Sequence, residues 1–275
     1  MEEVKVVRKS VKVEIPLGLY NRIQKLCEQG FYRNPADFFY TAGQKELEKA
    51  EEKAFWVHNA ARSLNDPYYQ LKALTLLANI GTAQGDWQKA QRLLSQAIHL
   101  VEQTGEKKDL LLASARLELA MGNFERTLSL LKQALEYTGA DFYEYISIVL
   151  QIVEVCLLTN NRNDAGKYLK NAIEINQKYM LNMLEPYLYA AWVALENNEL
   201  HDAFVLLNFC KEELEKRHNP RLQIRLLYLL GIYEYKMKLF DVAIDDFKEA
   251  NRLALKNKNY EYVICLLYTS PSPRD

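Results

Sequence analysis

The sequence feature that most constrains the fold is one pattern that recurs five times, at intervals of 37 to 40 residues. In each copy a turn signal is followed by a small, a large apolar and a second small residue, spaced by four and then three positions. We call these positions the anchors; they are Ala90, Leu94, Ala97; Thr127, Leu131, Ala134; Ala165, Leu169, Ala172; Ala203, Leu207, Cys210; and Ala243, Phe247, Ala250. Residues at i, i+4 and i+7 lie on one helix face, where small side chains permit close packing. Each copy therefore predicts a helix that packs tightly against a partner.

A second helix is predicted upstream of each turn, so that each copy is a helical hairpin. Apolar residues recur there at helical spacing, for example at Leu74, Leu77 and Ala78, or at Leu227, Leu230 and Gly231. Pairs such as Gly85-Asp86 supply residues that tolerate a left-handed cap between the two helices. The chain has only 10 glycines and 7 prolines among 275 residues, which favours a mainly α fold.

The hairpin pattern resembles the tetratricopeptide repeat, whose small-large-small signature the anchors reproduce over about Pro67 to Ala254. The intervals exceed that family's usual 34 residues, and its closing proline is missing from most copies. The resemblance implies an α-α superhelical solenoid over residues 67–264, with five repeats and a truncated sixth, which binds a protein or peptide on its concave face. On the family's pattern this face carries Asn79, Arg116, Glu154, Trp192, Tyr228, Ile232 and Tyr235. An irregular helical bundle, and ordinary packing of these seven side chains between hairpins, are the alternatives.

The first 48 residues follow a different pattern. Ser10 to Ile15 alternate polar and apolar residues, which predicts a short half-buried strand that Pro16 ends. Leu19, Ile23 and Leu26 then have helical spacing up to Gly30, and Asn34-Pro35-Ala36-Asp37 is a typical helix start. One strand and two helices are too few for a stable core, so the strand needs a partner, most simply its own copy in a second chain.

The order of strand, proline, helix, glycine and capped helix resembles the ribbon-helix-helix DNA-binding family. The resemblance implies a homodimer whose paired strands enter the major groove, with Val11, Val13 and Ile15 in the dimer core. It implies base contacts by Ser10, Lys12 and Glu14. Phosphate contacts would come from Lys5, Arg8, Lys9, Arg33, Asn34 and the helix start at Ala36 and Asp37. Glu14 departs from this scheme because an acidic side chain near phosphates lowers affinity. The alternative is a module that only dimerises.

A connecting helix over residues 49–66 is predicted to join the two parts, with Ala50, Ala54, Val57 and Ala61 packing on the first repeat. Asn65-Asp66-Pro67 marks its end. At the other end, residues 265–275 read CLLYTSPSPRD and resemble the translation of a sequencing adapter, which implies that the genuine sequence stops near Ile264. The alternative is a Ser/Pro-rich tail.

Motifs for catalysis, metals and cofactors are absent from the sequence. The four histidines are scattered, no nucleotide-binding or hydrolase motif occurs, and the four cysteines have no paired spacing. No apolar run is long enough to span a bilayer, which favours a cytoplasmic location. The sequence thus predicts a dimeric DNA-binding regulator, not an enzyme, whose repeats bind a protein or peptide. The alternative is a repeat scaffold that uses its N-terminal module only to dimerise.

Overall fold

The computed structural model describes residues 35–257, which form eleven α-helices and, within that range, no strand. The helices are α1 Pro35–Ser63, α2 Pro67–Gln84, α3 Trp87–Thr104, α4 Lys107–Ala120, α5 Phe124–Leu135, α6 Phe142–Leu158, α7 Arg162–Lys178, α8 Glu185–Glu196, α9 Leu200–Lys216, α10 Pro220–Lys236 and α11 Phe240–Lys256. They form two compact units, residues 40–203 and a second that contains residues 204–257. The predicted strand, the helix after it and the adapter-like segment lie outside the described residues.

Within residues 40–203 the helices pack in the order expected for stacked hairpins. The first and second helices of a repeat pack together as α2 with α3, α4 with α5 and α6 with α7. Each second helix also packs on the first helix of the next repeat, and the first helices contact one another as α2 with α4 and α6 with α8. In the other unit α10 and α11 form a hairpin. The prediction of a helical-repeat fold is confirmed.

All fifteen anchors are buried, with no side chain more than 9% exposed. Burying the large anchor and bringing helices together at the small ones removes apolar surface from water, which is the main stabilising contribution in such a fold. Cys156 is also buried, and burial raises the pKa of the thiol of Cys210, which is one of the anchors, to about 12. This thiol is therefore a packing group and not a reactive one.

The helix ends follow from local sequence. Asp66 accepts a hydrogen bond from the backbone N–H of Tyr69 at 3.1 Å, and Pro67 occupies the first turn. Asp86 and Asp141 cap α3 and α6 in the same way. Gly85 has φ +78°, a left-handed conformation that costs glycine little and other residues more. The boundaries at Asp66 and at Gly85-Asp86 lie where the sequence predicted them.

Helix α1 begins at Pro35, as the cap motif predicted, and continues through residue 48 into the predicted connecting helix without a break. Ala54 and Ala61 are buried, and Ala54 packs with Leu77 and Ile80 of α2. The predicted packing of Ala50 and Val57 is wrong, because both side chains are exposed. The packed face of α1 consists instead of the buried Ala54 and Ala61 and the half-buried Glu51 and His58. At two positions it therefore lies one residue after the predicted one. Glu51 accepts hydrogen bonds from Gln84 and Lys89, which ties α1 to the first repeat.

Candidate binding groove on the first helices

A shallow groove lies between α2 and α4, the first helices of repeats one and two. Its volume is about 200 Å³, and it is lined by Lys72, Thr75, Leu76, Asn79, Asp109, Leu112 and Arg116. Two of these residues, Asn79 and Arg116, were predicted from the sequence as concave-face residues. The structure therefore brings together two predicted positions that are 37 residues apart in the chain.

The lining residues share a register with respect to the anchors. Asn79 precedes the anchor Ala90 by 90 − 79 = 11 positions, and Arg116 precedes Thr127 by 127 − 116 = 11. Lys72 precedes Ala90 by 90 − 72 = 18 positions, and Asp109 precedes Thr127 by 127 − 109 = 18. Sequence reasoning missed Lys72, Thr75, Leu76, Asp109 and Leu112, although this common register was available to find Lys72 and Asp109.

An ion pair crosses the groove. Lys72 Nζ contacts Asp109 Oδ2, which joins α2 to α4. Partial burial lowers the pKa of Lys72, but the hydrogen bond and charge of Asp109 outweigh it, so the pKa is raised above the ordinary lysine value. The Lys72 ammonium also lies 5.2 Å from the centroid of the Tyr68 ring. Lys72 and Asp109 thus neutralise each other, and both side chains have a fixed partner.

Arg116 and Asn79 are available by contrast. The Arg116 side chain is exposed, and within residues 35–257 it has no hydrogen-bond or ion-pair partner. The Asn79 carbonyl oxygen Oδ1 is buried without a hydrogen-bond partner, while the residue as a whole is half-buried and lines the groove. Thr75 is satisfied internally, because its hydroxyl donates to Leu71 O at 3.0 Å. The groove therefore offers the guanidinium of Arg116 and the amide of Asn79 to a ligand.

The two further predicted face residues of this unit lie on α6 and α8. Glu154 accepts a hydrogen bond from the Tyr189 hydroxyl at 2.8 Å, and the Tyr189 ring lies 6.0 Å from the Trp192 ring, centroid to centroid. All three have additional contacts. On α6 and α8 the face of the first helices therefore carries the Glu154 carboxylate, which is bonded to Tyr189, beside the half-buried indole of Trp192. Its chemistry differs from that of the groove.

The remaining predicted residues lie on α10, in the unit that contains residues 204–257. The Tyr228 ring is 5.8 Å from Phe247, and the Tyr235 ring, which is partly exposed, is 5.6 Å from Phe240. Ile232 is half-buried and packs against the core of the α10–α11 hairpin. These three side chains combine packing within the hairpin with partial exposure, and their contact with a ligand stays a prediction.

Two kinds of site have no basis in the described part of the chain. Between residues 35 and 257 no group of three or more His, Cys, Asp or Glu side chains is arranged to hold a metal ion. The helices in that range also include none with the length and apolar character needed to traverse a bilayer.

Comparison with known proteins agrees with this architecture. The family described as "Tetratricopeptide repeat protein 21 ARM repeat" matches residues 40–144. The structure of BtubC (BKLC) from P. vanneervenii superposes with a TM-score of 0.60 at 17% identity, covering 83% of this chain and 95% of that one. The fold is a tetratricopeptide-like solenoid. Similarity at this level of identity establishes the fold alone.

Two other solved structures support the same fold. A putative kinesin light chain from Podosopora anserina with nearly identical TPR-like repeats matches with a TM-score of 0.52 and 16% identity, over 69% of this chain and 97% of that one. The APC/C hetero-tetramer Cut9-Hcn1 matches with a TM-score of 0.59 and 16% identity, over 92% of this chain but 46% of that one. No curated protein matches the sequence.

Proposed function

We propose that this chain is a protein-interaction scaffold that binds a partner segment along the first helices of residues 67–203. The observation that carries the proposal is the groove between α2 and α4, where Arg116 is exposed and without a partner among the described residues. Tetratricopeptide-like stacking supports it, because such repeats place their first helices side by side along one face. The expectation that the chain is not an enzyme agrees with its similarity to repeat proteins.

The dimensions of the groove favour a peptide over a compact small molecule. Typical small-molecule pockets enclose roughly 300–1,000 Å³ and bury most of their ligand. The α2–α4 groove has a volume of about 200 Å³ and opens on the helix face. An extended chain that crosses several first helices makes small contacts with each of them, which suits such a shallow surface.

Affinity capture with matched variants tests this function. The face variant combines Arg116→Ala with Trp192→Ala, and the control combines Gln91→Ala with Gln96→Ala, two exposed residues of α3. We expect wild type and control to capture the same partner and the face variant to lose it, with circular dichroism confirming that all three are folded. Equal capture by all three proteins would contradict binding at the first helices.

A second proposal concerns residues 1–48, as a dimerisation module that also contacts DNA. It is supported by the polar-apolar alternation of residues 10–15 and by the start of α1 at Pro35, where the capped-helix motif predicted it. The scaffold function has more support, since the residues proposed to contact bases, Ser10, Lys12 and Glu14, lie outside the described residues. A cytoplasmic location is part of the same proposal.

Sedimentation and gel-shift titration test this second proposal separately. We expect a dimer at micromolar concentration and a complex with a specific DNA fragment at low salt, and we expect Lys12→Ala to reduce discrimination between that fragment and random DNA by about 1–3 kcal/mol. A monomer would contradict the module as a whole. A dimer that binds no DNA would support dimerisation alone.

A further inference from the structure

We infer that the α2–α4 groove recognises an internal acidic side chain, Asp or Glu, next to an apolar residue in an extended segment of a partner protein. This inference rests on the proposed function and names the chemistry of the ligand at one position. Three ionisable side chains line the groove, those of Lys72, Asp109 and Arg116. Two cations and one anion give a net charge of +2 − 1 = +1.

The positive charge is concentrated on Arg116. Lys72 and Asp109 form an ion pair, so neither offers its full charge to a ligand. Arg116 has no such partner within residues 35–257. A guanidinium presents several N–H donors in a planar fork that matches the two oxygens of a carboxylate. An acidic side chain is therefore the complement of this position.

Asn79 adds a second polar group beside Arg116. Its Oδ1 is buried without a partner, and no hydrogen bond within the described residues involves its amide nitrogen, Nδ2. An amide whose oxygen is turned inward directs its two N–H donors towards the groove that the residue lines. Arg116 and Asn79 together then offer donors and no fixed acceptor, which again favours a carboxylate over a basic or amide side chain.

Apolar surface lies next to these donors. Leu76 is 49% exposed although it sits on a helix that otherwise buries its leucines, and Leu112 lines the same groove. An apolar side chain of the ligand that covers Leu76 removes surface from water and strengthens the neighbouring ion pair by excluding solvent. The single unpaired cation suits one carboxylate, and the exposed leucine suits an apolar side chain beside it.

The test uses a library of random twelve-residue segments displayed in a loop of a carrier protein, so that no segment has a free terminus. The full chain is the bait, as wild type, Arg116→Gln, Arg116→Glu, Trp192→Ala and the control Arg92→Gln. Arg92 is an exposed arginine of α3, so its replacement makes the same change in charge on the second helix of repeat one. Circular dichroism checks that each bait is folded.

We expect wild type and Arg92→Gln to enrich segments with Asp or Glu beside an apolar residue. Arg116→Gln should bind those segments at least tenfold more weakly, and Arg116→Glu should enrich segments with Lys or Arg. Binding to wild type should weaken as salt is raised, because the interaction is between partly exposed charges. These results together would support the inference.

Three outcomes would overturn it, and they differ in what they say of the proposed function. In the first, the enriched segments show no preference for acidic residues, and they bind the Trp192→Ala bait more weakly but the Arg116→Gln bait equally well. That result would support peptide binding and contradict the acidic site. Acidic segments that bind wild type and Arg116→Gln equally would do the same. Enrichment of no segment by wild type would overturn both the inference and the proposed function.

Discussion

Gly231 of α10 lies directly against the ring of Phe247 in α11. A β-carbon added at Gly231 would lie 2.8 Å from Phe247 Cε1, closer than real β-carbon contacts. Gly231 precedes the anchor Ala243 by twelve positions, where the other four repeats have Ala78, Ala115, Val153 and Ala191. Those four repeats have leucine as the large anchor, and the fifth has phenylalanine. The glycine thus compensates for the larger ring.

Gly231→Ala is predicted to destabilise the chain. The added methyl group overpacks the hairpin, which typically costs about 1–3 kcal/mol, and the better helix propensity of alanine offsets up to about 1 kcal/mol. We expect a net loss of about 1–2 kcal/mol, measured by urea denaturation. The double variant Gly231→Ala/Phe247→Leu restores the combination found in repeats one, two and four. Its loss should be smaller than the sum of the two single losses, and strict additivity would contradict direct coupling.

Such relationships show which parts of the fold the sequence predicts. The anchors are predictable because a small-large-small pattern on one face has few solutions other than close helix packing. The packing face of α1 was predicted less well, since alanines at positions 50 and 54 and valine at position 57 suit either of two adjacent phases. The groove was predicted only at Asn79 and Arg116. The repeat register would have given the positions of Lys72 and Asp109, but their ion pair depends on how far apart consecutive first helices lie.

Asn176 is a buried polar residue that the sequence did not single out. It is 3% exposed, donates from Nδ2 to Met183 O at 2.9 Å and accepts from the Met183 backbone N–H at 3.0 Å. These bonds hold the connection between α7 and α8. Asn176→Ala leaves the Met183 backbone groups without partners, so we expect a loss of about 2–3 kcal/mol in chemical denaturation. The control Asn171→Ala changes a residue whose hydrogen bond to Tyr145 is exposed, and it should cost less than 1 kcal/mol. Equal losses would contradict the role of Asn176.

The hydrogen bond from Tyr189 to Glu154 is predicted to stabilise the stacking of α8 on α6. Tyr189 is 5% exposed and its hydroxyl lies 2.8 Å from Glu154 Oε2, so Tyr189→Phe removes the bond without changing the ring. A bond to a charged acceptor contributes about 1.5–3 kcal/mol, and we expect a loss in that range. The matched control is Tyr143→Phe, because the Tyr143 hydroxyl is 3.4 Å from Leu181 O on an exposed side chain. A loss at Tyr143 as large as that at Tyr189 would count against the proposed role.

Glu234 of α10 has an environment that predicts pH-dependent stability. Burial, followed by the nearby charge of Asp246 and a hydrogen bond with it, raises the pKa of Glu234 to about 7, and Lys211 opposes the shift. Glu118 occupies the same register, nine positions before its anchor, but it has Asn123 and Arg126 as partners. The corresponding positions in the fifth repeat are Leu239 and Val242, which offer Glu234 no polar partner.

The sign of the dependence follows from the direction of the shift. Between the ordinary glutamate pKa of 4.5 and about 7 the folded chain holds a proton on Glu234 that the unfolded chain has released. The contribution of Glu234 to the free energy of unfolding is therefore fully present below pH 4.5 and is lost as the pH rises through 7. Burial also raises the pKa of Asp246, so loss of the proton from Glu234 places two carboxylates side by side.

Glu234→Gln removes this titration while keeping a donor towards Asp246. We expect wild type and Glu234→Gln to melt within a degree or two of each other at pH 5.5, and the variant to melt a few degrees higher at pH 8. Asp241→Asn is the control, because its side chain is exposed and its removal also deletes one acidic charge from the same hairpin. The control should shift the melting temperature equally at both pH values. A difference between wild type and Glu234→Gln that is independent of pH would show that the proton on Glu234 does not stabilise the α10–α11 hairpin.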